Sequence, residues 1–422
     1  MPGTTLPPFP TDVRTHPLLV IDYDILRTGD STELDRLWDA ATSIGFWYLK
    51  NHGADQEVSD MFDMGAETMA LPLEEKMKFE QGDDGRSCGY KAAGANAVDA
   101  SGQLDAVEFI NISKDDALAF PNIVHRTYPA PTTAAIPTAV APFVRKSLEI
   151  NNTFLRIFND RLGLPEGTLE RLHPNDEHSG SEARLIKSPP MPGRALADTA
   201  TLGAHTDFGS LSFLHNRLGG LQVMPPGHTE WFYVRPLPGH AICNVGDALS
   251  LFSGSILQSN IHRVVPPPGI QAEYERWSLV FFTRPGNSKV LRAVVDDSPL
   301  IADAVQKRPD QNFDTGSTAA EWFARRVKYQ RIKNRKVSRR QESKKRTMHS
   351  CLVLVRADAV VKTGSRDMGG KQGYGTYPCS GLNSDQLEST IELWLSCIPF
   401  LIILHFLSLL AVLPAYIVEP SR

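Results

Sequence analysis

The sequence predicts a mainly β fold, an antiparallel sandwich or barrel with helices around it, and three observations predict it. From Ala183 to Arg284 the chain breaks into short β-like runs separated by Gly and Pro, the texture of a sandwich or barrel. Ahead of them, Pro142 to Leu162 carries a broad apolar helical face suited to backing a sheet. The chain opens with an alternation of strand-like and helix-like periods.

Taken in order, Leu18 to Ile21 is a short apolar run that reads as a strand. Asp30 can cap the next helix, and Glu33 stands three residues on as in a capping box. Leu34, Leu37, Trp38, Ala41 and Ile44 fall at helical spacing, with Gly45 as the stop. Phe46 to Leu49 is aromatic-rich and short, a strand ending at the Asn51-His52-Gly53 turn. Val58, Met61, Phe62, Gly65, Ala66 and Met69 form one stripe of a second helix, interrupted at Pro72. Gly82 to Ala106 is rich in Gly, Ala, Ser and Asp and reads as an irregular loop. In the long helix, Phe143, Ile150, Phe154 and Ile157 share a line with Val144, Leu148, Leu155 and Phe158 beside it, and Gly163 ends it. The β-like runs that follow are Arg184 to Lys187, Leu211 to Leu214, Leu221 to Met224, Trp231 to Arg235, Ala241 to Val245, Ile256 to Val265 and Trp277 to Thr283. A helix over about Thr318 to Asn334 closes this part.

Composition narrows the classes. Apolar residues at 41% and charged residues at 22% exclude collagen-like and wholly disordered chains. A net charge of −4 gives no case for nucleic-acid binding. The charge is uneven: residues 325 to 346 hold twelve Lys/Arg against the single acid Glu342, a block of +11 that leaves −15 elsewhere. Cys88, Cys243, Cys351, Cys379 and Cys397 form no CxxC, so neither a disulfide framework nor a thiolate zinc site is expected. With prolines where a signal peptide needs an apolar core, the opening segment points to a cytoplasmic catalytic domain. Near the other end, Leu393 to Val418 runs 26 residues without Asp, Glu, Lys or Arg. Roughly 20 apolar residues can span a bilayer, so this run is either a C-terminal membrane anchor or an extension that is no natural part of the fold. A membrane partner is expected only in the first case.

The chemistry concentrates in Leu202-Gly203-Ala204-His205-Thr206-Asp207-Phe208-Gly209-Ser210. In an extended segment, side chains two apart share a face, so His205 and Asp207 point together. His262 follows 55 residues after Asp207, in another β-like run. Two imidazoles and one carboxylate on one side of a six-coordinate metal form the facial arrangement of non-haem Fe(II) oxygenases, with positions open for other ligands. A packed strand histidine competes with each ligand taken singly. His215, His228 and His240 serve as controls, since none has a carboxylate at strand spacing with an anion site downstream. That anion site is Arg276-Trp277-Ser278, where a guanidinium and a hydroxyl two apart can hold a carboxylate. Its competing reading is a surface arginine on an edge strand. Phe208, Phe213 and Phe281 either shield the site or are plain core. No HExxH occurs, so a zinc hydrolase has little support.

The segments AHTDFGSLSFL, RLGGLQVMPPG, EWFYVRPLPGHAICNVGDALSLFSG, SNIHRVVPPPG and RWSLVFFTRPG resemble the catalytic core of the isopenicillin N synthase-like Fe(II)/2-oxoglutarate-dependent dioxygenases. IDYDIL, GFWYLKNHG and PLEEKMKF are similar to that family's leading region, so the likeness covers about residues 15 to 335. The resemblance implies a distorted double-stranded β-helix, or jelly roll, framed by helices. It implies four parts: a leading α/β region over 15–120, a backing-helix region over 121–180, the jelly-roll core with closing helix over 181–335, and an atypical tail over 336–422. It also implies that His205, Asp207 and His262 hold Fe(II) and that Arg276 and Ser278 bind the distal carboxylate of 2-oxoglutarate, with O2 as the second co-substrate. The implied reaction couples oxidative decarboxylation of 2-oxoglutarate to hydroxylation or desaturation of a small organic substrate. Arg184-Leu185-Ile186-Lys187-Ser188-Pro189-Pro190 departs from the Asn-Tyr-Tyr-Pro run of plant members, which removes a tyrosine contact to the co-substrate. Alternatives are an oxidase of the same fold that does not use 2-oxoglutarate and a non-catalytic jelly-roll binding module. Specificity is expected in the loops Gly82 to Gly102 and His173 to Arg194.

Overall fold

A computed structural model describes residues 6–96, 103–193 and 200–330. Among these residues fourteen strands follow one another in chain order. The first five are β1 (Val20–Asp22), β2 (Phe46–Lys50), β3 (Gly89–Lys91), β4 (Glu108–Ser113) and β5 (Glu182–Ser188). They are followed by β6 (Leu202–His205), β7 (Leu211–Asn216), β8 (Leu221–Val223), β9 (Phe232–Tyr233) and β10 (His240–Val245). The last four are β11 (His262–Val264), β12 (Arg276–Thr283), β13 (Val290–Arg292) and β14 (Asp314–Thr318).

An eight-stranded sheet has the order β1-β2-β10-β7-β12-β5-β4-β3, and a four-stranded sheet the order β6-β11-β8-β9. All pairings within these two sheets are antiparallel except β1 with β2. Residues of both sheets line one cavity between them, which is the jelly-roll arrangement, and helices cover the outer face of the larger sheet.

That outer face is built by period-two alternation. Trp47, Phe213, Leu279 and Phe281 turn to the helices, where helix Ala141–Arg161 supplies Phe143, Phe154 and Phe158. Trp47 meets Phe154 edge-on at 5.3 Å between ring centroids. Helix Asp55–Ala70 completes the layer; Gly65 is needed there because a Cβ would lie 2.7 Å from a methyl of Leu185.

Several boundaries differ from the sequence reading, each for a local reason. Asp30 does accept the Glu33 amide at 3.0 Å, but the Glu33 carboxylate takes the amide of Asp22 instead of completing a capping box, tying the helix Ser31–Ser43 to β1. Within the expected loop, Gly89–Lys91 forms a strand because β4 offers it an edge. The run Ile256 to Val265 is strand only from His262; before it, Ser255 has φ +60° and the chain turns. Phe213 and Phe281 belong to the helix-backed core, so of the three phenylalanines only Phe208 lines the cavity. The closing helix is Ala319–Gln330, and its expected continuation to Asn334 lies outside the described residues. So does the apolar run Leu393 to Val418; among the described residues, no helix is long and apolar enough to cross a membrane.

Candidate metal centre

β6 and β11 pair with His205 opposite His262, which puts the two imidazoles side by side with ring centroids 4.3 Å apart. β6 ends at His205, so Asp207 lies beyond the strand and not on one continuous extended run. Its carboxylate nevertheless turns to the imidazoles: Oδ1 is 3.9 Å from Nε2 of His205 and 3.7 Å from Nε2 of His262. Ligand atoms from all three lie within 4.8 Å of one another.

Each donor is held by a second group. His205 Nδ1–H donates to the Gly203 carbonyl at 2.7 Å, and His262 Nδ1–H to the Asn260 carbonyl at 3.1 Å. These bonds fix the tautomer and leave both Nε2 lone pairs for a metal. Asp207 Oδ2 accepts from Ser212 Oγ at 2.7 Å and from Asn244 Nδ2 at 2.8 Å, so Oδ1 faces the imidazoles. The Asp207 backbone carbonyl also accepts the Asp247 amide at 2.8 Å. Gly246 permits that approach, because a Cβ there would sit 2.3 Å from the Gly209 carbonyl oxygen.

The electrostatics suit a cation. Burial, helped by the neighbouring His262, lowers His205 to about 4, so its ring is neutral at physiological pH. Burial raises Asp207, but His262 and His205 outweigh it and bring the carboxyl down to about 2. An ionised Asp207 beside a neutral His205 is the protonation state that a divalent ion requires of them.

Arg276 and Ser278 share the cavity face of β12, in the middle of the larger sheet between β7 and β5. Arg276 is 3% exposed on a central strand, which rules out a surface arginine on an edge strand. It donates through Nη1 to Ser278 Oγ at 2.6 Å and through Nε to the Gly219 carbonyl at 2.7 Å. The glycine pair Gly219-Gly220 makes room, since a Cβ on Gly220 (φ +108°) would lie 2.5 Å from the Val265 carbonyl and 3.1 Å from Arg276 Nε. Among the described residues, no carboxylate pairs with Arg276. Ser188, opposite Arg276 in the β5–β12 register, lines the same cavity with a buried Oγ that has no partner. A buried cation and a buried hydroxyl without an acceptor fit a carboxylate ligand, because an unpaired buried charge is costly.

The cavity has a volume of about 160 Å³. Sequence reasoning missed Ser212, Asn244, Arg184 and Arg284 as lining residues. Alternation along β7, β10 and β5 could have found the first three, since each strand turns every second side chain to the interior. Of the control histidines, His215 is buried on the helix-backed face against His52 and Phe213 and does not line the cavity. A second cluster, Asp115 with His125 and His178, also brings ligand atoms within 4.8 Å. Its carboxylate is already committed to Lys114 Nζ at 3.1 Å, His125 Nε2 at 2.9 Å and the Ser179 amide at 3.2 Å.

Two family models match the chain, and curated and solved proteins resemble it. The family model described as the N-terminal region of non-haem dioxygenases in morphine synthesis matches residues 18–131, and that of the 2OG-Fe(II) oxygenase superfamily matches residues 180–285. A 2-oxoglutarate-dependent dioxygenase of Gibberella zeae is 31% identical over 286 residues, covering 66% of this chain and 82% of the relative. One from Aspergillus fumigatus is 29% identical over 328 residues, covering 70% and 82%. A full-length Neurospora crassa protein crystallised in complex with alpha-KG has the same fold, with a TM-score of 0.59 and 22% identity over 74% of this chain and 95% of that one.

Proposed function

We propose, from the premise that this chain belongs to the 2-oxoglutarate-dependent Fe(II) dioxygenases, that His205, Asp207 and His262 are its iron ligands and that Arg276 with Ser278 receives the distal carboxylate of 2-oxoglutarate. As a member of that family the chain is an oxidoreductase that uses Fe(II), 2-oxoglutarate and O2 on a small organic molecule. This displaces both the oxidase that does without 2-oxoglutarate and the non-catalytic binding module. The observation that carries the assignment of residues is the pairing of a three-donor cluster with a buried, acid-free guanidinium in one cavity.

When bound, iron would supply activation of O2, which is the oxidant; 2-oxoglutarate is the electron donor that takes one oxygen atom and leaves as succinate and CO2, and the other oxygen atom goes to the substrate or leaves as water. The residues of this chain do the positioning. Two carbonyl-anchored imidazoles, His205 and His262, and the carboxylate of Asp207, itself held by Ser212 and Asn244, would hold the metal at the cavity wall. Arg276 fixes the far end of the co-substrate by charge, and Ser278 sets the plane of the guanidinium. The apolar lining of Phe46, Leu214, Leu221, Val264 and Val280 excludes water from the space between them. Ser188, opposite Arg276, lines the cavity with a free buried hydroxyl that can donate to the same distal carboxylate. The outcome on the substrate is hydroxylation or desaturation. We place the catalytic domain in the cytoplasm, where the free thiols of Cys88 and Cys243 stay reduced.

His262→Ala tests the ligand assignment. Fe(II) affinity measured by equilibrium dialysis should fall sharply and succinate release should stop, with the circular dichroism spectrum unchanged. Undiminished iron affinity in that variant overturns the assignment.

A further inference from the structure

Two guanidiniums in the cavity are not used by the iron or co-substrate positions. Arg184 on β5 and Arg284, the residue after β12, both line it. They share one acid, the fully buried Glu182, whose Oε1 lies 3.0 Å from Arg184 Nη2 and 3.2 Å from Arg284 Nη2. Glu182 is further occupied by Ser87 Oγ at 2.6 Å and Asn111 Nδ2 at 3.4 Å. Both arginines lie over aromatic faces: Arg184 is 4.5 Å from the Phe109 centroid and 5.0 Å from that of Phe282, and Arg284 is 5.0 Å from Phe282 and 4.2 Å from Phe323. Arg184 Nε also donates to Asn111 Oδ1 at 2.7 Å and Arg284 Nη1 to the Gly180 carbonyl, and stacking fixes both guanidinium planes without using the remaining N–H groups. Arg284 is 7% exposed, yet its Nε has no hydrogen-bond partner.

The charges can be followed through the described lining residues. Asp105 is neutralised by its buried ion pair with Lys91. On the reading above, a divalent iron, Asp207, doubly charged 2-oxoglutarate and Arg276 cancel one another. Arg184, Arg284 and their shared Glu182 then leave one positive charge inside the cavity. A buried net charge of that kind is costly unless a ligand supplies its counterpart. A carboxylate does so, its oxygens accepting charge-assisted hydrogen bonds from the donors that remain, Arg284 Nε and Arg184 Nη1. Around this charge the lining is apolar and aromatic: Val107, Phe109, Phe208, Phe323 and Val327.

We propose that the substrate is a small organic monoacid whose carboxylate is seated by Arg184 and Arg284 and whose apolar body lies among those aromatic side chains. The inference rests on the iron and 2-oxoglutarate reading for its charge balance, and it makes the two arginines specificity-determining residues.

The test uses matched acid and amide pairs, 3-phenylpropanoate with 3-phenylpropanamide and decanoate with decanamide, added anaerobically to the full chain loaded with Fe(II) and saturating 2-oxoglutarate. Binding is read from the change in the absorption of the loaded enzyme. At least one acid should bind about tenfold or more tightly than its amide, the scale of one charge-assisted contact. Arg284→Gln and Arg184→Gln should abolish that preference, and Arg284→Lys should restore part of it. Acids that bind no better than their amides in either pair, or a preference that survives both glutamine variants, overturn the proposal. If the loaded enzyme shows no such absorption, the iron and 2-oxoglutarate reading has failed. The arginine site is then tested alone, from the thermal unfolding midpoint of metal-free Arg276→Ala protein, in which the co-substrate position cannot take the acid. There too, stabilisation by acid over amide that disappears in Arg276→Ala/Arg284→Gln supports the proposal, and equal midpoints overturn it.

Discussion

The two faces of the eight-stranded sheet are made by the same strands and do opposite things. On β12, Leu279 and Phe281 point to the helices, while Arg276, Ser278, Val280 and Phe282 point to the cavity. On β7 the division is Phe213 against Ser212 and Leu214, and on β10 it is Cys243 against Asn244. One face is a dry aromatic core. The other carries buried polar groups that each need a partner, and Ser188 Oγ and Arg284 Nε find none among the described residues. Stability and chemistry are therefore separable residue by residue, one position apart.

The largest expected effect lies on the cavity face. Asp207→Ala should reduce turnover on the order of 10³-fold or more, since metal assistance supplies several kcal/mol. Its unfolding free energy should fall by less, about 1–3 kcal/mol, the cost of leaving Ser212 and Asn244 without their buried acceptor. Succinate release and urea unfolding on the same sample check the pair of outcomes, and a large stability loss would break the comparison. On the opposite face, Phe281→Ala removes a ring packed against Phe143 and Phe213 and should cost about 3–5 kcal/mol of unfolding free energy. Iron affinity of the molecules that remain folded should not change, as equilibrium dialysis would read.

Asn244→Leu sharpens the contrast further. It deletes one of the two hydrogen bonds that aim Asp207, and Fe(II) affinity should fall about 10- to 100-fold. The smallest effect belongs to neither face. His125 is raised above its ordinary value mainly by its hydrogen bond to Asp115, and Asp115 is lowered by the same contact and by Lys114 against its own burial. The histidine's contribution is thus full below pH of about 6.5 and is lost as pH rises through its raised folded value. The aspartate's contribution is lost as pH falls through its lowered one. His125→Gln should cost under about 1 kcal/mol, given the half-exposed ring. Urea unfolding should detect that cost in mildly acidic buffer and not in alkaline buffer.

That Arg276 and Ser278 share one face was legible because strand alternation sorts residues by face. Where the chain left regular strand, legibility fell. Asp207 reaches the cluster by a turn after β6, and the backbone bonds from Asp247 and Ala248 that hold this turn, with Gly246 leaving room for them, have no periodic signal. β3 could not be read from its own residues, because Gly89–Lys91 becomes a strand only through the edge of β4. Glu33 looked like a capping residue, but a backbone amide eleven residues earlier competes for its carboxylate and wins. Arg184 was seen as part of a departure from a family pattern, whereas its stacking between Phe109 and Phe282 joins residues about 75 and 98 positions away, a separation at which spacing carries no information.

Anaerobic titration of the intact protein with Fe(II) and then 2-oxoglutarate, followed by absorption, tests the central claim most directly. Three converging donors with Arg276 at the far end of the co-substrate predict a visible charge-transfer band that saturates with 2-oxoglutarate, and in Arg276→Ala a band that needs a much higher concentration to form. No band in the intact protein, or one with the same saturation in both proteins, would contradict it.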